Sequence, residues 1–218
     1  MSGGVLVVVQ QRDGKLHRMS REAIAAGQQL AEATGGTASA VVLGSDLGAV
    51  AGEVAGFDLA RVLVVEHEAL AEYTPGGYVG ALAEVVPAAG AELVLLPHTY
   101  QSVDFMSLLA QRLDAALVPE AVGFEATGEG VVWQRPILGG KLAARVGTRG
   151  EGPVLVSLQS GSFAADQARA GEAPTESVAL AEAPQRDREI LGTEEVAGEQ
   201  IDLSQAQILF EQCLKLNP

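Results

Sequence analysis

Val5-Leu6-Val7-Val8-Val9 is an unbroken run of β-branched and leucine side chains near the start of a 218-residue chain. A strand with one wet face alternates apolar and polar residues. A short run without alternation fits a strand buried on both faces, as in a parallel sheet between two layers of helices. The residues that follow agree with this. A polar turn centred on Asp13-Gly14 leads to Ser20, which can cap a helix carrying Ala23, Ile24, Leu30 and Ala31 on one side, and Gly35-Gly36 ends it.

The same unit then recurs. Residues 38–43 read as a strand, Gly44-Ser45-Asp46 as a turn and residues 47–54 as a short helix. Residues 61–65 and 93–96 are two more apolar strands, separated by a helix through Tyr78, Leu82 and Val85. Strands alternating with helices at this spacing imply right-handed crossovers and a parallel sheet covered on both faces. After a loop over residues 98–104 and a helix over 105–113, the pattern changes. Residues 123–127, 131–137, 142–146 and 154–158 are strand candidates joined by glycine-rich turns too short for helices. The expected fold is therefore α/β, a doubly wound, mostly parallel sheet with added antiparallel strands.

Beyond Phe163 the composition turns to Ala, Glu, Pro and Gly, which reads as a linker or C-terminal arm. Val178 to Leu180 and Ile190-Leu191 are candidate short strands within it, and residues 201–216 regain helical spacing. The expected division is residues 1–163 as one α/β domain and 164–218 as the arm.

Composition narrows the function. The formal charge is −14, from 28 acidic against 14 basic residues, so a nucleic-acid backbone is repelled by the average surface. No apolar run reaches the roughly 18 residues that span a bilayer, and the start has no basic n-region, which makes the cytoplasm the default compartment. One cysteine, Cys213, excludes an internal disulfide framework. His17 and His67 sit in separate turns without metal-like spacing, and no metal site is expected. His98 follows Pro97 with no carboxylate near it in sequence, so it reads as structural or exposed. No nucleophile elbow, Ser-His-Asp arrangement or Walker motif is present, and no catalytic residue is assigned.

In an open parallel sheet, ligands lie beyond the carboxyl ends of the strands at the switch point. The qualifying loops are residues 10–13, 44–47 and 98–104. The last concentrates Thr99, Tyr100, Gln101, Ser102 and Asp104 just before a helix N-terminus, where backbone N–H groups favour an anion. Thr99, Gln101, Ser102 and Asp104 are the candidate cofactor-binding residues. The plainer alternative is that Ser102 or Asp104 only caps the helix. Trp133 reads as core or interface packing.

Several fragments occur in an order that resembles one family. They are Val5-Leu6-Val7-Val8-Val9 with Asp13-Gly14-Lys15-Leu16, the helix from Ser20 to Leu30, Val41-Val42-Leu43-Gly44, and Arg61-Val62-Leu63-Val64-Val65 followed by Leu70, Tyr73 and Tyr78. The most specific is Gln134-Arg135-Pro136-Ile137-Leu138-Gly139-Gly140-Lys141-Leu142-Ala143. Together they resemble the N-terminal domain of the electron-transfer flavoprotein α subunit, across roughly residues 5–163. The resemblance implies an adenine-nucleotide-hydrolase-like fold, a β-like partner subunit, FAD as the family's cofactor, and a role as an electron carrier component rather than a catalyst of bond chemistry. Read from the residues alone, Gly139 and Gly140 permit a tight turn, and Arg135 is either a solvated side chain on that hairpin or a partner for a carboxylate or a second subunit.

Two departures bear on that reading. In the family an apolar strand after the first domain leads into a glycine- and arginine-rich turn that contacts flavin; here the corresponding stretch is Ile208-Leu209-Phe210-Glu211-Gln212-Cys213. The expectation is a chain without the FAD-binding domain that holds no flavin tightly by itself. The second is Gln159, where the family places an arginine. Gln101-Ser102-Val103-Asp104 resembles a segment of the family's β subunit that holds AMP, which leaves a stand-alone AMP-binding protein as one alternative. A homodimer whose arm wraps its neighbour is the other.

Overall fold

The computed structural model describes residues 4–12, 14–128 and 130–192. Asp13, Cys213 and the helical spacing over 201–216 lie outside the described residues. In chain order the elements are β1 (Gly4–Val9), a small hairpin of β2 (Gln11–Arg12) and β3 (Lys15–Leu16), α1 (Arg18–Thr34), β4 (Ala38–Gly44), α2 (Gly48–Ala55) and β5 (Val62–Glu66). A 3-10 turn at Glu68–Leu70 precedes α3 (Pro75–Ala88), β6 (Ala91–Pro97), α4 (Tyr100–Arg112), β7 (Ala116–Ala121), β8 (Gly123–Thr127), β9 (Gly130–Ile137), β10 (Leu142–Gly147), β11 (Val154–Leu158) and β12 (Thr175–Ser177).

Seven strands make one sheet in the order β12-β5-β4-β1-β6-β11-β7, and each pairing within it is parallel. Strands β8, β9 and β10 form a separate antiparallel sheet. This is the doubly wound, mostly parallel architecture with antiparallel additions that the sequence implies.

The reason lies in β1, where none of Val5 to Val9 is more than 4% exposed. Val5, Val7 and Val9 pack with α1 and α2, while Leu6 and Val8 pack with α3 and α4 on the opposite face. Burying each such side chain stabilises the fold by about 1.5–3 kcal/mol, a gain available on both faces only if helices cover both. Helix α1 lies close because it presents Ala23, Ala26 and Gly27 to the sheet; a Cβ built on Gly27 would stand 2.6 Å from Val7 Cγ2.

Some local expectations move. His17 caps α1, its Nδ1 accepting the Met19 N–H at 3.3 Å, whereas Ser20 is buried and its Oγ accepts the Gln10 N–H and donates to the Gln10 carbonyl. The loop expected over 98–104 shrinks, because α4 starts at Tyr100 with Thr99 as its cap. Strand β7 gave no clear signal because Pro119 interrupts it, and proline is tolerated there since β7 is an edge strand. After Phe163, the polar residues Thr175–Ser177 extend the sheet beside β5, while Val178 and Leu180 pack into the core instead of forming the strand. Ile190-Leu191 forms no strand.

The close approach of α1 gives a paired prediction. Gly27→Ala costs about 1–3 kcal/mol in urea unfolding, because Val7 must leave its rotamer. Gly52→Ala in α2 meets nothing within 4 Å and leaves stability unchanged or raises it by up to about 1 kcal/mol. Equal midpoints for Gly27→Ala and the parent protein would contradict the packing.

Candidate functional site

The chain runs from β1 outward through β4 and β5, then returns to place β6 on the other side of β1. Connections leaving β1 and β6 therefore diverge, and a cleft opens beyond their carboxyl ends. It has a volume of about 520 Å³ and is lined by Gln10, Gln11, Arg12 and His17 on the β1 side, by Leu70, Ala71, Tyr73 and Tyr78, and by Thr99, Tyr100 and Gln101 at the start of α4.

Of the four candidate residues, Thr99 and Gln101 line this cleft, whereas Ser102 and Asp104 do not. The Thr99 hydroxyl donates to Gln10 Oε1 at 2.6 Å and accepts the Ser102 N–H, tying the α4 N-terminus to the end of β1. Ser102 is buried behind it. Asp104 turns to the outer side, where its Oδ2 accepts the Tyr73 hydroxyl at 3.0 Å; that hydroxyl also lies 3.2 Å from the Gln101 carbonyl. The expectation that Ser102 or Asp104 caps α4 is thus replaced by Thr99. Thr99, three positions before Ser102, has the extended backbone a cap needs, φ −108° and ψ 166°.

The aromatic wall is continuous. Tyr73 meets Tyr78 edge to face at 5.0 Å, and Tyr78 lies 5.7 Å from Phe105. Burial, then the Asp104 hydrogen bond and charge, push the Tyr73 phenol well above the ordinary tyrosine range. Burial also raises Tyr78, against a hydrogen bond from Gln101. Desolvation lowers His17 below the usual histidine value, with Glu22 acting in the opposite direction. Tyr100, by contrast, is 98% exposed at the rim.

A second cluster at the same edge was invisible in sequence. His98 Nδ1 lies 2.8 Å from Ser157 Oγ, which accepts the Glu120 N–H at 3.1 Å, and His98 Nε2 lies 3.4 Å from Glu120 Oε1. The carboxylate absent from its sequence neighbourhood arrives from β7. Glu120 adopts φ +56°, an uncommon conformation for a residue other than glycine, where the β7–β11 register shifts. Ser157 is fully buried, so the trio knits strand ends together rather than presenting a nucleophile. Among the described residues no His, Cys, Asp and Glu group is arranged to hold a metal.

The antiparallel sheet carries the other conspicuous feature. Phe124, Trp133 and Phe163 stack against the core. Beyond them the β9–β10 hairpin continues with Arg135, whose Nε is buried without a hydrogen-bond partner among the described residues. It ends in Ile137, Leu138 and Leu142, all exposed. Register pairs Ile137 with Leu142 and Trp133 with Val146 on one face. The other face carries Gln134 and the Arg145–Glu125 ion pair.

Compared with known proteins, residues 5–183 match the family model described as the electron transfer flavoprotein domain. The chain belongs to the electron transfer flavoprotein family. It is 33% identical over 158 residues to the electron transfer flavoprotein subunit alpha of Syntrophomonas wolfei, covering 72% of this chain and 48% of that protein. It is 28% identical over 212 residues to the subunit of the same name from Bacillus subtilis, covering 96% of this chain and 63% of that protein. The acryloyl-CoA reductase electron transfer subunit beta of Anaerotignum propionicum is 30% identical over 116 residues, which cover 53% of this chain and 32% of that protein. The matched part is thus about half to two thirds of the length of the two alpha subunits.

The family is one of flavoproteins, and several amides around the cleft that could serve a dinucleotide's pyrophosphate are already taken. A pyrophosphate is usually held by free amides at a glycine-rich turn into a helix. Here the Met19 N–H is taken by His17, the Gln10 N–H by Ser20 and the Ser102 N–H by Thr99. In the described residues, the fold therefore offers a cleft of about 520 Å³ whose rim is largely hydrogen-bonded to itself.

Tyr73 supplies a check on that geometry. Its raised value favours the neutral phenol in the folded state, so this stabilisation is complete below about pH 10, where an unfolded tyrosine ionises, and is lost as pH rises toward the folded value. Following phenolate absorbance through an alkaline titration, Asp104→Asn brings one of the three tyrosines to ionise earlier. A titration curve identical to that of the unaltered protein would contradict the Tyr73–Asp104 bond.

Proposed function

We propose that this chain serves as the α-side scaffold of a heterodimeric electron-transfer flavoprotein in the cytoplasm, pairing with a β-like subunit to pass electrons from dehydrogenases to an acceptor. FAD is held outside the described residues, by another part of the assembly. In this reading residues 1–163 form the flavoprotein-type domain and residues 164–218 its arm. Relatives named as alpha subunits, aligned along most of this chain, support the role. None of the helices among the described residues is long and apolar enough to cross a membrane, which is compatible with that compartment.

The observation that carries the proposal is the hairpin tip. A chain with a formal charge of −14 exposes Ile137, Leu138 and Leu142 together, at 38%, 71% and 56%, on one projecting ledge. Clustered apolar side chains beside a buried, unpaired arginine nitrogen are the anatomy of an interface core rather than of a free surface. Arg135 then meets an acceptor on the partner.

Co-expression with a β-like subunit from the same source yields a co-purifying complex. Leu138→Asp with Leu142→Asp weakens it at least about tenfold while circular dichroism stays that of the parent, as expected for the loss of two buried interface leucines. Equal affinity in the double variant, or a parent chain that ignores the partner or only self-associates, would contradict the proposal.

One observation favours a second reading. The fully exposed Tyr100 ring stands on the rim of a cleft that also carries Arg12, Gln10 and Gln101, groups suited to stack on and hydrogen-bond an adenylate such as AMP. In this reading Thr99 and Gln101 touch the nucleotide, while Ser102 and Asp104 hold the wall behind them. Calorimetric titration with AMP gives saturable heat that Gln101→Ala reduces; no heat from the parent protein would dismiss the reading and leave the scaffold role untouched.

A further inference from the structure

Residues 178–188 leave the sheet edge after β12 and cross the outside of α3 as a strap. Val178 and Leu180, half-buried, pack against the core on the α3 and α4 side of the sheet, and the Val178 N–H donates to the Val64 carbonyl at 2.9 Å. Glu84, on α3, accepts the Ala181 N–H at 2.7 Å and the Glu182 N–H at 3.3 Å. Asp187 Oδ1 accepts the Gly76 N–H in the first turn of α3 at 3.0 Å. A Cβ on Gly76 would stand 2.9 Å from Asp187 Cβ, so a glycine is what lets the strap seat there.

Two arginines of the strap reach residues next to the cleft walls. Arg186 Nε donates to the Ala69 carbonyl at 3.1 Å and Nη2 to the Glu68 carbonyl at 3.0 Å. That turn leads directly into the cleft-lining Leu70 and Ala71. Arg188 Nη1 lies 3.7 Å from Asp104 Oδ2, the oxygen that accepts the Tyr73 hydroxyl. Since Tyr73 also bonds the Gln101 carbonyl, Arg188 acts on the start of α4 through Asp104 and Tyr73. The strap therefore ties down two of the three segments that wall the cleft, leaving only the β1 side to its own contacts.

The attachment is made of individually weak parts. Arg188 and Asp104 are both about half exposed, and such pairs contribute little alone. Between these ties a groove of about 710 Å³ is lined by Val79, Gly80, Ala83 and Arg112 on one side and residues 181–187 on the other. A segment held by several weak polar ties over a groove can lift without disrupting the core, unlike β12 and the residues inserted at its start.

We propose that residues 181–188 are a latch on the cleft, with Arg186 and Arg188 as positioning residues. Docked, the latch fixes the Glu68–Leu70 turn and the Tyr73–Asp104–Gln101 network; lifted, it frees both walls. The latch does not depend on what the cleft holds.

Hydrogen–deuterium exchange on the full chain tests this. Arg186→Ala with Arg188→Ala speeds exchange roughly threefold to tenfold at Gly76 and in residues 68–73 and 100–104, with β1 and β6 unchanged, as local opening would require. Arg61→Ala, just before β5, removes the ion pair to Glu176, upstream of the latch, and a bond to the Ala89 carbonyl at the far end of α3, and leaves the cleft walls at parent rates. Unaltered wall exchange in the double variant, or the same acceleration in Arg61→Ala, overturns the proposal. Should the double variant fail to fold, Glu84→Ala, which releases the strap without touching the cleft, is read against the same expected and overturning rates.

Discussion

Two-sided burial of β1 is the constraint on which the rest of the molecule depends. With five consecutive side chains that must all leave water, one helical layer is not enough, and a strand covered on both faces cannot sit at an edge. The chain meets this by building outward on one side with β4 and β5 and then returning to place β6 on the other. The return creates the divergence between the β1 and β6 connections. The cleft is thus a consequence of how the core is satisfied, before any residue in it is chosen.

The residues that furnish the cleft are largely occupied with one another. Thr99 spends its hydroxyl on Gln10 and on capping α4, Ser20 and His17 close the β1 connection, and Asp104 faces Tyr73. Such self-satisfaction stiffens the rim and occupies several of the amides that phosphate sites in related architectures use. The exposed surface tells a different story at the β9–β10 hairpin, where apolar side chains face solvent and a guanidinium nitrogen is buried without an acceptor among the described residues. For a member of the electron transfer flavoprotein family, this contrast places the incomplete interactions on a projecting ledge and the complete ones in the cleft.

Much of the fold was legible in particular residues. The unalternating Val5 to Val9, the glycine stops and the repeated strand-helix spacing were enough for the doubly wound sheet, and Gly139-Gly140 between apolar runs marked the hairpin. The misses have physical causes. Strand β7 contains Pro119, which a sequence reading takes as a break but an edge strand accepts. Strand β12 is Thr-Glu-Ser, held by backbone pairing and the Glu176–Arg61 ion pair, and leaves no apolar trace. The start of α4 was set by which of several adjacent hydroxyl and carboxyl residues had the extended backbone of a cap, a matter of dihedral angle rather than residue type.

What the sequence determined by itself was therefore the set of elements whose energy comes from local periodicity and burial, together with the family whose fragments recur along it. Only the tertiary structure decided which distant groups meet. His98 gained Glu120 and Ser157 from two other strands, Tyr73 gained Asp104 from α4, and Arg186 and Arg188 returned from more than eighty residues away to the Glu68–Leu70 turn and to Asp104. Polar contacts of this kind carry no periodic signature, because their partners are brought together by sheet order and crossover path rather than by spacing along the chain.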